Sequence, residues 1–498
     1  MRRIVHCCPV GSGTSVIMHR HWSSRFAYIL LCLVGGLGGC AYWRTPSSSF
    51  AARNVERECL GNFERLDHAL ERSGLRDGEA ATPAGFPYLR VNRFLASYRT
   101  AFTEAATRHA WLLALSELDH AARLAELANL SGVHREPLPS AAELDDCRRR
   151  LTEHIATDPQ LFDRLIKAAS VRDEYRDWQR VLGLYPLISE FARAGIRRLH
   201  QANPVGTTPP PPPAAALTIV YRWHSPRPAA VPKLRSVPRD ELGRPRLSAR
   251  EASRLLAYHA PEWHIATASD DDRLGSPVWR GGRVAIDTAE PAMYHYLSHA
   301  KFDGEVLLQL NYVVWFPARQ AEGGFDLLAG PIDGLTWRVT LDRDGMPLIY
   351  DIMHNCGCYH QFYPTARLIQ RPSDPTEEAL WVPRTLVPQS LAITLAPRSH
   401  YITAISTASG QGLTVTNRDY EVLRSLPFGE RRRGIFGNDG ILWGSQRAER
   451  FILWPLGVPA PGAMRSRGHH ATAFVGRRHF DDPNLFDRYF ERRRASDL

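Results

Sequence analysis

The chain has 498 residues, 44% hydrophobic and 23% charged, a balance that fits a globular protein and excludes a disordered or fibrous one. The length predicts two or three domains at roughly 100–200 residues each, and only one stretch is apolar enough to interest a membrane, which excludes a polytopic membrane protein. The 62 cations exceed the 52 acids by 10, but they are scattered and all except Lys167, Lys233 and Lys301 are arginine. No basic block or stripe points to nucleic acid.

At the N-terminus, Arg20 and Arg25 precede an apolar run from Phe26 to Leu37 that ends in Leu37-Gly38-Gly39-Cys40. About 12 apolar residues suffice for a signal-peptide core and fall short of the roughly 20 that span a bilayer as a helix. The segment resembles bacterial lipoprotein signal peptides with their lipobox. The resemblance implies removal of residues 1–39, acylation of Cys40 and, because Ala41 rather than Asp follows, transfer to the periplasmic face of the outer membrane. A short transmembrane anchor is the alternative. Met18 gives a leader of more usual length than Met1, so both are candidate starts. Cleavage removes four arginines and no acid, taking the formal charge from +10 to +6. That excess suits anionic lipid or glycan surfaces, and an envelope protein or glycan is the partner class expected beside the lipid anchor.

With Cys7, Cys8 and Cys32 gone and Cys40 acylated, Cys59, Cys147, Cys356 and Cys358 remain. An oxidising compartment favours pairing, and the economical scheme is Cys59–Cys147 with a local Cys356/Cys358 couple. Closing the longer loop stabilises the first domain by about 4 kcal/mol in the chain-entropy model.

A tether (40–50) leads into a helical domain (51–202). Runs with helical spacing cover Val55–Ser73, Val91–Thr103, Ala141–Ile155 and Leu184–His200. Leu112, Leu115, Ala122 and Leu127 share a face of another helix, which Asn129 to Gly132 would end. Phe94, Tyr98 and Trp111 read as core. A proline-rich linker (203–216) holds Pro209 to Pro213 and cannot join a helix. The remainder (217–498) is β-rich, with strands expected at Leu217–Trp223, Glu305–Phe316, Leu335–Leu341, Met346–Ile352, Leu391–Thr394 and Gly412–Thr416. Asp344-Gly345 turns the hairpin that follows Leu341. In that hairpin Trp337, Val339 and Leu341 form a buried face, and Thr336, Arg338 and Thr340 a wet or functional one. Glu305–Phe316 is a central strand covered on both sides. The expected class is therefore α + β multidomain: an N-terminal helical bundle and a C-terminal, mainly antiparallel β-sandwich.

The conspicuous constellation is His354-Asn-Cys356-Gly-Cys358-Tyr-His360. Extended, its four candidate ligands would span about 20 Å at 3.3 Å per residue, so Gly357 must bend the chain if they are to share one ion. Bent, the loop could hold zinc or copper through two thiolates and one or two imidazoles. A small disulfide between Cys356 and Cys358 and a pair of redox thiols are the other two readings. His295 and His299, about 13 Å apart in an extended segment, and His469 and His470 form secondary clusters that read first as core or surface histidines. Asp270-Asp271-Asp272 and Asp342-Arg343-Asp344 lack EF-hand spacing and read as solvated turns. No nucleophile elbow, zincin helix, phosphate loop or dinucleotide fingerprint is present, so no catalytic residue is assigned.

Leu308 to Pro317, Trp337 to Leu341, Asp344-Gly345 and His354 resemble the strand order of necrosis-inducing-protein-like and vacuolar-sorting-associated β-sandwiches. Where that family carries Gly-His-Arg-His-Asp-Trp-Glu this chain has Ile332 to Arg338, and only Trp337 matches. The resemblance implies a sandwich and transfers no metal ligand or membrane-damaging activity. The sequence therefore points to an envelope lipoprotein that binds or scaffolds, with a periplasmic metal-assisted hydrolase or thiol oxidoreductase as the alternative.

Overall fold

The computed structural model describes residues 54–494 apart from 103, 135, 136, 212, 214, 215, 232 and 325. The leader, Cys40 and the tether lie outside these residues. Helices occupy α1 (Asn54–Ser73), α2 (Arg93–Ala96), α3 (Ala105–Leu130), α4 (Ala141–Thr157), α5 (Pro159–Ala168), α6 (Asp177–Leu182) and α7 (Tyr185–Ala202). A Ser140/Glu143 capping box starts α4, and Pro159 at the first turn of α5 follows Asp158, whose carboxylate accepts from Gln160 and Leu161 N–H groups.

The helix expected over Val91–Thr103 is reduced to the four residues of α2. Val91 is drawn into backbone hydrogen bonds with Ala81, and the Tyr98 hydroxyl donates to the Leu242 carbonyl at 2.5 Å. Tertiary partners on both sides outweigh local helical preference. As expected, Trp111 is fully buried, and its Nε1–H donates to the Leu95 carbonyl at 2.8 Å. Cys59 on α1 and Cys147 on α4 form a disulfide.

The β-rich part is built on one mixed ten-stranded sheet. Its strands are β1 (Leu217–Trp223), β2 (Glu262–Thr267), β3 (Ala292–Phe302), β4 (Glu305–Arg319), β5 (Gly330–Leu341), β6 (Pro347–His354), β7 (Gln361–Pro364), β8 (Leu391–Leu395), β9 (Ile402–Thr407) and β10 (Leu413–Asp419). Their spatial order is β9-β8-β2-β1-β10-β3-β4-β5-β6-β7. Three of the pairings, β1 with β10, β8 with β2 and β10 with β3, are parallel. Helix α8 (Ala249–His259), opened by a Ser248/Glu251 capping box, buries Leu255 and Leu256 in the core on one face of the sheet.

Alternation on β4 explains why it is central. Leu308, Leu310, Tyr312, Val314 and Phe316 enter one core, while Val313 and Trp315 enter another on the opposite face. The β5–β6 hairpin turns where expected, with Asp342 Oδ1 accepting from the Asp344 and Met346 N–H groups and Gly345 at φ +78°. The polar face of β5 is buried rather than wet. Arg338 makes paired hydrogen bonds to Asp351, Thr336 donates to Asn355 Oδ1 at 2.7 Å, and Gln309 donates to Thr340 Oγ1 at 3.1 Å. A buried polar face is tolerated because its groups find partners. The Asp270–Asp272 turn likewise departs from a solvated one: Asp272 is buried and accepts from the N–H groups of Ala268, Ser269 and Arg398.

Residues Arg53–Leu498 form a single compact unit. Gly206, in the proline-rich stretch, donates to the Thr403 carbonyl and accepts from the Ile405 N–H, pairing the stretch with β9. Asn129 of α3 donates to the Arg424 carbonyl at 2.9 Å. Among the described residues no helix is long and apolar enough to cross a membrane.

Candidate functional site

β6 delivers the His354–His360 loop. Gly357, at φ +92°, bends it, and an added Cβ there would lie 2.4 Å from the Ala471 carbonyl oxygen. The bend closes through Gly357 N–H to His354 O at 2.7 Å and His354 N–H to Cys358 O at 3.0 Å. The four candidate ligands do not converge. His354 donates from Nδ1 to Asp333 at 3.4 Å, whereas His360 donates from Nε2 to Asp351 at 2.8 Å. Burial lowers the pKa of both histidines against the pull of these carboxylates, that of His360 to about 4, so each is a neutral donor at pH 7. Among the described residues no group of three or more His, Cys, Asp or Glu side chains is placed to hold a metal ion. The loop thus does not present the closed four-ligand set that structural zinc requires.

Cys356 and Cys358 are free thiols, the first buried and the second half-buried. The Cys358 N–H donates to Cys356 Sγ at 3.4 Å. A hydrogen bond between the thiols lowers the Cys356 pKa, helped by the nearby Arg447 charge, and the same bond together with burial raises that of Cys358 well above its ordinary value.

Behind the loop, Asp333 is fully buried and holds three cationic or imidazole groups. His400 Nδ1 donates to it at 2.8 Å and Arg447 Nη2 at 2.9 Å, beside His354. Burial alone would raise the Asp333 pKa, but Arg447 and the histidines hold it well below the carboxylate range. For His400 the opposition resolves the other way: burial disfavours the cation, but Asp272 and Asp333 raise its pKa. Ile332, Tyr359, Arg398 and His400 all have left-handed backbones around this node. Such conformations cost of order 1–3 kcal/mol each and persist only where surrounding contacts impose them.

In front of the loop lies a cavity of about 340 Å³. Ala192, Ile196 and Leu199 of α7 form one wall, and Leu456, Val458 and Phe474 line it from the C-terminal loops. Both thiols open onto it, as do Glu378, Glu449 and His200. Burial raises the pKa of Glu378 against Arg478 and that of Glu449 against Arg447 and Arg319. His200 stacks on Trp381 at 4.5 Å, and burial, followed by the Arg478 charge, lowers its pKa to about 4. The result is an apolar chamber with two thiols, two carboxyl groups and an imidazole in its walls.

Of the secondary histidines, His470 touches the loop beside Cys356, whereas His295, His299 and His469 have partners elsewhere. His295 and His299 occupy β3 opposite Tyr312 and Leu308, against Trp223 and Phe94 respectively. His469 bridges Glu174 Oε1 at 3.0 Å and the Gly78 carbonyl at 2.7 Å. His470 is buried and donates to the Asn355 carbonyl at 3.2 Å, which makes it a support for the loop. Sequence reasoning missed Asp333, His400, Arg447, Glu378, Glu449 and His200. No local spacing links them; the one available signal was the Leu184–His200 helix, which is apolar on more than one face.

The fold and site define an α + β protein with a helical N-terminal region, a β-rich C-terminal part and an apolar, thiol-bearing cavity. No protein-family model matches the sequence, and no curated protein or solved structure matches it.

Proposed function

We propose that this chain is a lipid-anchored envelope protein, held by Cys40 at the periplasmic face of the outer membrane, that binds a small apolar molecule in the cavity beside the Cys356–Cys358 loop. The observation that carries this reading is the chamber itself. Its volume falls within the range of small-molecule sites, and its apolar walls with a few convergent polar groups are what such sites require. In this reading the β-rich part works as a sandwich and the N-terminal helices as a bundle, a rigid frame for the chamber. An envelope protein or glycan remains a partner class for its outer surface.

Titration with palmitate, followed by quenching of tryptophan fluorescence, tests the reading. Saturable one-to-one binding is expected, weakened about tenfold or more by Ile196→Trp, which fills the chamber. Absence of saturable binding across a series of fatty acids and aromatic hydrocarbons would sink it.

A second reading, thiol exchange, is favoured by the adjacent free thiols with opposite pKa displacements. The Cys356 thiolate would attack a small disulfide and expel one thiolate. Cys358, losing its proton, would then attack the Cys356 sulfur and release the second. The net change is one disulfide reduced to two thiols and one Cys356–Cys358 disulfide formed. Turnover of a small disulfide with excess dithiothreitol, abolished by Cys356→Ser, distinguishes it from simple binding.

A further inference from the structure

Helix α7 is apolar on two sides. Ala192, Ile196 and Leu199 face the cavity, whereas Leu187 and Phe191, one turn apart, are exposed, Phe191 by 77%, as is Leu184 just before the helix. The neighbouring α6 exposes Trp178 (56%), Val181 and Leu182, and the short helix α9 (Arg450–Leu453) exposes Phe451 and Ile452. Both α6 and α7 pack on the turn Trp454–Leu456 that continues α9. These side chains therefore belong to one region of the surface. Monomeric soluble proteins rarely leave so many large apolar groups uncovered together.

Charge on the same helices decides what covers them. Helix α7 carries Arg193, Arg197 and Arg198 against the single acid Glu190, and Arg197 and Arg198 are exposed. Arg450 opens α9, its guanidinium 4.7 Å from the Phe451 ring centroid. Exposed Trp, Phe and Leu side chains on these helices, with Arg198 of α7 on the same stripe as Leu187 and Phe191 and Arg197 on its flank, give the composition of a surface lying at the headgroup boundary of an anionic bilayer. Two other occupants fit less well. A second copy, set on this face by two-fold symmetry, would bring two arginine-bearing faces together. The apolar run Phe26–Leu37 precedes Cys40 and leaves with the leader in the reading above.

We propose that the α6–α7–α9 face is a membrane-docking surface that rests on anionic phospholipid and sets the cavity wall formed by α7 against the bilayer. The surface stands without the acyl anchor, and its test removes that anchor. The protein is made as a chain starting at Ala41, which retains the whole compact unit from Arg53, and is sedimented with vesicles of phosphatidylglycerol and phosphatidylethanolamine or of phosphatidylcholine alone. Binding to the anionic vesicles is expected, weaker to phosphatidylcholine and weaker at high salt. The double variant Leu187→Asp/Phe191→Asp should reduce partition about tenfold or more, and Arg197→Glu/Arg198→Glu several-fold, with unchanged thermal unfolding and palmitate titration. Binding unaffected by either variant overturns the proposal. So does a dimer in sedimentation velocity that dissociates in the double aspartate variant while the parent ignores vesicles.

Discussion

Asp77, in the loop after α1, and Arg424, beyond β10, stand 347 residues apart and share two hydrogen bonds, Nε to Oδ2 at 2.8 Å and Nη2 to Oδ1 at 2.9 Å. Burial would raise the Asp77 pKa, but Arg424 and Arg90 bring it down to about 2. The pair fastens the helical region to the β-rich part, so the two should lose structure together. Asp77→Ala is expected to cost about 1–3 kcal/mol, because it removes two charge-assisted hydrogen bonds from Arg424, which keeps Glu421 as its partner. Urea unfolding followed by helical circular dichroism and by tryptophan fluorescence checks both points: the midpoints should drop and remain coincident.

Removing the covalent link within the helical region tests a different restraint. Cys59→Ser/Cys147→Ser opens a loop spanning a sequence separation of 88, and a loss of about 4 kcal/mol is expected in the chain-entropy model. Equal urea midpoints for the oxidised parent and the double variant would contradict it. Peptide mapping without reductant should find neither residue alkylated in the parent.

The bend at the thiols depends on one glycine. Gly357→Ala requires a side chain at φ +92° and sets its Cβ 2.4 Å from a carbonyl oxygen, so it should destabilise by about 1–3 kcal/mol. The loop must also move away from Ala471. Iodoacetamide labelling of native protein should then modify the buried Cys356 faster in the variant than in the parent.

Burial lowers the pKa of His259, His299 and His470 to about 3 and that of His200 and His360 to about 4. Their unfolded value is 6.5, so the unfolded chain binds protons first as pH falls. Stability from these groups is full above 6.5 and is lost as pH falls towards their folded values, about 3 for His259, His299 and His470 and about 4 for His200 and His360; the slope is about 1.4 kcal/mol per pH unit for each buried ring and smaller for the half-exposed His200. His400 and His469, whose pKa values are raised, act oppositely: their contribution is full below 6.5 and is lost as pH rises through their folded values. The depressed group is larger. Urea midpoints should fall steadily from pH 6.5 to 4, and a flat profile would refute the account.

Cys40→Ser should abolish acylation and leave an unprocessed precursor in the inner membrane. Metabolic labelling with an alkynyl fatty acid, followed by immunoprecipitation, reads this directly. Unchanged labelling would show that Cys40 is not the acylated residue.

Local chemistry in the sequence determined several elements and a few of their limits, though not the Val91–Thr103 helix, which the structure reduces to Arg93–Ala96. Leu217–Trp223 is a strand with those ends, Asn129 to Gly132 ends α3, Asp344-Gly345 turns the β5–β6 hairpin, and Cys59 pairs with Cys147. Each depends on neighbours along the chain or on the few cysteines available. Only the tertiary structure decided where His354 and His360 point, because their partners Asp333 and Asp351 lie on different strands and draw the two rings to separate carboxylates. It also decided that Arg338 and Thr336 are buried, since alternation along β5 specifies two faces but not what covers the second. The cavity belongs to the same category: a helix from residues 185–202 and a loop from 354–360 enclose a chamber through contacts more than 150 positions apart, which no local periodicity encodes.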